Sequence, residues 1–137
     1  MAFRFENLEI WQRAAALSHR LTDIADRLAE QHFYRFAEQL RAAGLSTPNN
    51  IAEGSGSTSS REFVQYLNIA RRSAFENASM LVIFAQRGFV STEELDSLLR
   101  ELDELCRMIT AFARTVKRQA ETKKNQDVPS QSLRSTP

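Results

Sequence analysis

Apolar residues recur at alternating steps of three and four along four separate stretches of this chain. That spacing brings them to one face of an α-helix, so each stretch predicts an amphipathic helix with a buried stripe. No segment of useful length alternates apolar and polar residues with the two-residue period of a strand. The sequence therefore predicts an all-α fold, with helices at about residues 7–30, 33–53, 59–87 and 91–118.

The third and fourth stretches begin with recognisable helix-start signals. Ser59 and Ser91 each stand three residues before a glutamate, Glu62 and Glu94, which is the spacing of a capping box. Gly88 follows the third stretch, where a left-handed residue after the helix end favours glycine. Because all connections are short, neighbouring helices must run antiparallel, and we expect an up-down-up-down four-helix bundle.

The second stretch contains a proline within its apolar period. Pro48 has no N–H and its ring crowds the carbonyl of Gly44, so the helix either ends near Ser46 or is kinked there. Ile51 continues the apolar stripe beyond the proline, which favours a kinked second helix. The Gly-Ser segment at 54–58 is then expected to be too flexible to continue the helix.

The length of 137 residues suits a single hydrophobic core. Periodicity stops at about Arg118, so we expect a bundle domain over residues 1–118 and a disordered polar tail over 119–137. No apolar run approaches the roughly 18 residues that a membrane span requires, and the N-terminus does not resemble a signal peptide. The single cysteine, Cys106, cannot form an internal disulfide, so a reducing, cytoplasmic setting is expected.

The third predicted helix has more apolar residues than one buried stripe needs. Six large apolar side chains fall outside the stripe that contains Phe63, Leu67 and Leu81. Such residues either reach the core from the side or are covered by a partner, and self-association is the favoured interpretation. The candidate interface residues are Tyr66, Ile69, Phe75, Met80, Val82 and Ile83.

Residue patterns for catalysis or metal binding are missing from the sequence. A di-metal bundle requires Glu three residues before His, but Ala16 precedes His19 and Ala29 precedes His32 at that spacing. The Gly-Ser segment lacks the lysine and the preceding strand of a phosphate-binding P-loop. Cys106 has no cysteine companion, so a structural thiol is expected. We expect no catalytic residue, no metal and no cofactor, and therefore a non-enzymatic protein.

A row of arginines in the first helix has acidic neighbours in the same helix. Arg13, Arg20 and Arg27 recur every seven residues, and Glu9 and Asp23 precede two of them by four. That order is the favourable one for intrahelical ion pairs. We therefore expect this row to be a solvated, self-paired face.

The fourth helix ends in a run of basic residues with little compensation. Six cations stand between residues 107 and 124 against one acid, Glu121. Attraction to the helix dipole and a solvated tail are one explanation. The other is binding of nucleic-acid phosphates, strengthened if several copies gather in a ring. The candidate nucleic-acid-binding residues are Arg107, Arg114, Lys117, Arg118, Lys123 and Lys124.

Several segments together form a recognisable pattern: residues 8–11, 40–43, 46–54, 61–63 and 67–70, followed by Ser73 and Glu76. The pattern resembles the 23S rRNA intervening-sequence family of bacterial four-helix-bundle proteins, over roughly residues 5–117. The resemblance implies a homo-oligomeric ring, commonly a pentamer, for which no enzymatic activity is established. A related branch, the accessory proteins of diversity-generating retroelements, associates with a reverse transcriptase and nucleic acid.

Six residues of this pattern are expected to be structural: Pro48, Asn50, Glu53, Gly54, Glu62 and Glu76. Asn50 would satisfy backbone groups freed by a kink, since a buried unpaired carbonyl costs about 1–3 kcal/mol. Glu53 would accept donors from the Gly-Ser segment or pair with Arg61. Contact with a partner is the alternative for both Asn50 and Glu53.

Two departures from the family pattern concern charge. Ser57 stands where the family often has a basic residue, which weakens a nucleic-acid site at that loop. Arg72 stands where the family often has glycine, which restores a charge nearby. The favoured function is a non-enzymatic homo-oligomeric module that binds RNA, DNA or a nucleic-acid-processing protein. The alternative is a protein-binding scaffold without nucleic-acid contact.

Overall fold

A computed structural model describes the backbone of residues 3–135 and the side chains of residues 3–126. Within that range the chain forms four α-helices and no strand, preceded by a short 3-10 helix at Arg4–Asn7. The helices are α1 (Glu9–Glu30), α2 (Tyr34–Ser55), α3 (Ser60–Gln86) and α4 (Thr92–Ser135). Each helix packs against the next one along the chain, and α1 and α4 contact each other more sparsely. The predicted all-α four-helix bundle is confirmed.

The core forms where the four predicted apolar stripes meet. Leu21 of α1, Ile51 of α2, Leu67 of α3 and Leu105 of α4 are all buried to 1% exposure or less. Burying a side chain of this size contributes about 1.5–3 kcal/mol relative to leaving it in water. Tertiary burial of these stripes, more than helix propensity, therefore stabilises the bundle.

Hydrogen bonds confirm both predicted helix starts. Ser59 Oγ accepts the Glu62 N–H at 3.1 Å, and Ser91 Oγ accepts the Glu94 N–H at 3.1 Å. Gly88 has a φ of +79°, the left-handed conformation expected of the residue after α3. These caps fix the connections that bring α2, α3 and α4 into consecutive antiparallel contact.

Helix α2 continues through Pro48 and ends at Ser55, two residues beyond its predicted end. It does not stop near Ser46. Gly54 is buried within the helix, and a Cβ built on it would lie 2.7 Å from the Tyr66 Cβ. The glycine therefore permits close approach of α2 and α3, and the expectation of a flexible break beginning at residue 54 is wrong.

Helix α4 is longer than the sequence predicts, because its backbone remains helical to Ser135. The sequence predicts disorder from residue 119, but Ala, Glu, Lys and Gln in 119–126 are good helix formers. Val116 is the last buried residue among the side chains described, so the extension adds nothing to the core. The division into a domain and a tail at residue 118 stays a prediction. Over the described part of the chain, no helix combines the length and apolarity of a membrane span.

Candidate nucleic-acid interface

The arginine row of α1 pairs with α4. The sequence predicts intrahelical pairs with Glu9 and Asp23, and that prediction is wrong. The observed pairs are Arg13–Glu104 at 2.9 Å, Arg20–Glu101 at 2.8 Å and Arg27–Glu94 at 2.6 Å. We call these three pairs the arginine ladder. Because α1 and α4 are antiparallel, rising residue numbers in one helix meet falling numbers in the other.

The Arg27–Glu94 pair is the most strongly held of the three. Arg27 donates through both terminal nitrogens, to Glu94 Oε2 at 3.0 Å and to Oε1 at 2.6 Å. Hydrogen bonding from Arg27 holds the pKa of Glu94 below its ordinary value, against a smaller opposing effect of partial burial. The Glu94 side chain therefore closes the α1/α4 seam while its N–H is capped by Ser91.

The basic run of α4 is not uniform. Arg107 forms an exposed pair with Asp103 at 3.0 Å. Arg118 and Lys123 are exposed and lie together on the surface of α4 itself. Arg118 and Lys123 therefore contribute to the general field of the run and not to the groove between α3 and α4.

The remaining cations of the run line a groove between α3 and α4. The middle section of the groove has a volume of about 580 Å³, and Arg71 of α3 faces Arg114 and Lys117 of α4 across it. The apolar side chains that line the same section are Val64, Leu67, Ile109 and Ala113. We call this feature the α3/α4 groove. It combines an apolar floor with cations on both walls.

The α3/α4 groove continues in both directions along the helices. Towards the start of α3 its charged lining residues include Arg61, Glu121 and Lys124, and towards the middle of α3 it reaches Phe75 and the Asp103–Arg107 pair. Adjacent sections share Lys117 on one side and share Arg71 and Arg114 on the other. The three sections therefore lie next to one another along the seam between α3 and α4.

Sequence reasoning missed the two α3 arginines of the groove, Arg61 and Arg71. Arg71 donates to Asn68 Oδ1 at 3.2 Å, and its guanidinium lies 5.6 Å from the centroid of the Phe75 ring. Among residues 3–126 no carboxylate lies within 4.0 Å of its charged group. The family pattern draws attention to its exposed neighbour Arg72, and only the register between α3 and α4 shows that Arg71 faces the basic run.

Cys106 lies beneath this groove as a structural thiol. Its side chain is buried, and its Sγ lies 4.0 Å from the carbonyl oxygen of Arg71. Burial raises the pKa of the thiol, which reduces the reactive thiolate. Over the residues that the structure describes, no three His, Cys, Asp or Glu side chains are grouped to hold a metal ion.

The six apolar candidates of α3 are divided between two edges of the helix. On the edge towards α2, Tyr66 packs over Gly54 and Met80 packs against the core, and both are half-buried. Ile69 and Ile83 lie on the same edge by helical spacing and are 42% and 49% exposed. Side contact with the bundle thus accounts for Tyr66 and Met80, but not for the two isoleucines.

Phe75 and Val82 lie on the other edge, towards α4. Phe75 is 59% exposed and borders the groove beside Arg71, Arg107 and Arg114. Val82 is one heptad further along the same edge. The structure therefore does not bring all six residues into one patch.

Asn50 takes part in a hydrogen-bonded chain that links α2 to α3. Its Nδ2 donates to the Ser46 carbonyl at 2.8 Å and to Ser46 Oγ at 3.2 Å. Ser46 Oγ and Ser73 Oγ lie 2.8 Å apart, and Ser73 Oγ donates to the Ile69 carbonyl at 3.0 Å. Since Ser73 uses its proton on Ile69, Ser46 must donate to Ser73. Asn50 therefore does hydrogen-bond to the backbone near Pro48. The group that it contacts is the carbonyl of Ser46, two residues before the proline.

The three glutamates of the family pattern are exposed. Among residues 3–126, the Glu53 carboxylate makes no hydrogen bond or ion pair, so neither of its expected contacts is found. Glu62 supplies the capped N–H at the start of α3. Glu76 lies near Met80 in a depression between α2 and α3. These carboxylates remain accessible to a partner.

The fold is that of a small antiparallel four-helix bundle. A family model for the 23S rRNA-intervening sequence protein matches residues 6–111. The chain belongs to this family, as the resemblance of its segments indicates. A crystal structure from Bacteroides thetaiotaomicron VPI-5482, titled a protein with unknown function from the S23 ribosomal protein family, is similar. It has 21% identity and a TM-score of 0.71, covers 76% of this chain and 97% of its own, and supports the fold alone. No curated protein matches.

Proposed function

We propose that this chain is a non-enzymatic binding module whose basic run contacts the phosphates of RNA or another nucleic acid. The observation that carries the proposal is a contrast in pairing. Each arginine of the ladder has a glutamate within 3 Å, whereas Arg114, Lys117 and Arg118 have no carboxylate within 4.0 Å among residues 3–126. Such cations attract a polyanion and release its counterions on binding.

A salt series tests this proposal directly. Protein freed of co-purified nucleic acid is titrated with a structured RNA and with duplex DNA, alongside the triple variant R114Q/K117Q/R118Q. We expect the affinity of the parent to fall steeply with salt. In the variant the slope of log K against log salt should be smaller by about two to three, since each phosphate contact contributes roughly 0.7–0.9.

Folding is the control for the triple variant. Exposed charges contribute little to stability, so its thermal midpoint should match that of the parent. If the variant binds as tightly as the parent, the basic run is only a solvated surface and the proposal is wrong. If the parent binds neither nucleic acid at low salt, a scaffold that binds only proteins becomes the better account.

We further propose that copies of the chain associate through the α2-facing edge of α3, with Ile69 and Ile83 as its exposed apolar members. Isolated exposed side chains of this size need no partner, but several on one helix favour an interface. The opposite edge is less suitable, because Phe75 lies among Arg71, Arg107 and Arg114, and an apolar contact there would remove these charges from water. A pentamer is the size that the family resemblance implies.

Sedimentation velocity distinguishes the two edges. Changing Ile69 and Ile83 together to glutamate should dissociate the assembly, because unpaired charge in an apolar interface is strongly unfavourable. The matched variant F75E/V82E changes the same number of exposed residues on the other edge and should leave the assembly intact. A monomeric parent would end this proposal, and the reverse pattern would move the interface to the α4-facing edge.

A further inference from the structure

We infer that the α3/α4 groove binds a single nucleic-acid strand, with unpaired bases against its floor and phosphates on its two walls. This inference rests on the proposed function and names the form of nucleic acid that the groove takes. The first observation is the placement of charge. Arg61 and Arg71 project from α3, and Arg114, Lys117 and Lys124 project from α4, so a ligand in the groove meets cations on both sides. One carboxylate, Glu121, lines the same two sections, so the cations outnumber it.

The spacing of packed helices favours one strand over a duplex. Axes of packed helices are about 8–10 Å apart, so the cleft between them holds one extended chain. A duplex places its phosphates on either side of a major groove about 12 Å wide and stays stacked inside, so it would touch only the rim. In that arrangement the ligand would make little contact with Arg71, which faces α4 across the floor.

The apolar floor supports the same conclusion. Val64 and Ala113 are half-buried in the middle section, and Ala120 is half-buried in the next. Paired bases in a duplex cannot cover this surface, whereas unpaired bases can lie flat against it. Single-strand binding sites combine a positive groove with surfaces on which bases stack.

One end of the groove offers an aromatic platform. The Phe75 ring is 59% exposed, and the Arg71 guanidinium lies 5.6 Å from its centroid. A base that stacks on this ring would also contact the planar guanidinium. An acidic amphipathic helix could match the charge of the walls, but it anchors through large side chains in apolar pockets. The apolar floor residues that remain accessible here are Val64, Ala113 and Ala120, because Leu67 and Ile109 are fully buried.

The experiment compares strand forms on matched variants. Anisotropy titrations at one low salt concentration use a labelled oligouridylate, a fully paired duplex with the same number of phosphates, and a polyglutamate peptide of equal charge. We expect the single strand to bind about tenfold more tightly than the duplex, and the peptide to bind more weakly than either. Duplex or peptide binding as tight as that of the single strand overturns the inference.

Adjacent arginines provide the control. R71Q should weaken single-strand binding several-fold, whereas R72Q, which removes the same charge from the exposed neighbouring position, should have little effect. F75A should weaken single-strand binding, whereas F75W, which keeps an aromatic ring at this position, should bind about as tightly as the parent. Circular dichroism verifies that each variant is folded. If R71Q and R72Q behave alike while R114Q/K117Q/R118Q still loses binding, the basic run binds nucleic acid but the groove inference is wrong. If the parent binds no nucleic acid, both proposals fail.

Discussion

The two flanks of α4 carry similar charges in different surroundings. Towards α1, each arginine of the ladder meets a glutamate at 2.6–2.9 Å. Towards α3, Arg71, Arg114 and Lys117 border an apolar floor, and among residues 3–126 no carboxylate lies within 4.0 Å of their charged groups. The first flank is neutralised within the chain. The second depends on water, counterions or an anionic ligand to solvate its charge.

This difference teaches that the spacing of arginines in a sequence does not decide their role. Arg13, Arg20 and Arg27 recur every seven residues, and so do Arg100, Arg107 and Arg114. What separates the rows is the register across each seam, which gives one row interhelical partners. Both flanks depend on the buried stripe of α4, but their charged side chains lie on different faces of the helix. Substitutions on one face therefore leave the other face unchanged.

The largest expected effect on stability comes from substituting a core residue of α4 on which both flanks depend. Leu105 is 1% exposed in the stripe that α4 presents to the core. L105A should lower the free energy of unfolding by about 2–5 kcal/mol, because it removes packed atoms and leaves a cavity. Urea denaturation measures this change. A loss below about 1 kcal/mol would show that α4 is not packed as described.

The next effect should be confined to the α1/α4 seam. The variant R13Q/R20Q/R27Q removes all three ion pairs of the arginine ladder, each of which is partly exposed. Pairs of this kind contribute about 0.2–1 kcal/mol each, so the expected loss in unfolding free energy is about 1–2 kcal/mol. The matched control R114Q/K117Q/R118Q should change it by less than about 0.5 kcal/mol. Equal losses in the two variants would remove the distinction between the flanks.

A smaller effect tests the ladder through pH. The pKa of Glu94 is lowered in the folded chain, so its contribution is present above the unfolded pKa of about 4.3 and is lost as the pH falls through the folded pKa. E94Q should therefore be less stable than the parent at pH 7, by at most about 1 kcal/mol. The difference should vanish at a pH below the folded pKa. A difference that does not decline as the pH is lowered would indicate a packing effect.

The smallest expected effect is a gain and not a loss, and it concerns nucleic-acid affinity and not stability. Asp103 neutralises Arg107 at the edge of the groove, and both side chains are well exposed. D103N should tighten nucleic-acid binding by less than about threefold, since it adds one unit of positive charge to the local field. Isothermal titration at low salt measures the change. Weaker binding by D103N would mean that Asp103 itself contacts the ligand.

The sequence was sufficient for features that depend on local spacing. The apolar period identified the buried Leu21 and Ile51, and the capping spacing identified the hydrogen bond from Glu62 to Ser59. Features that depend on interhelical register were not accessible. Gly54 looks like a flexible residue until Tyr66 is placed against it, and Arg71 looks like an ordinary surface arginine until α4 is placed beside it.

The most direct test of the central claim compares salt dependence in two variants of equal net charge. R13Q/R20Q/R27Q and R114Q/K117Q/R118Q each remove three positive charges from the same chain. With one single-stranded oligonucleotide, the ladder variant should keep the slope of log K against log salt that is found for the parent. In the basic-run variant the magnitude of this slope should be smaller by about two, at roughly 0.7 for each lost phosphate contact. Equal slopes for the two variants would show that binding follows only net charge and would contradict the distinction between the flanks.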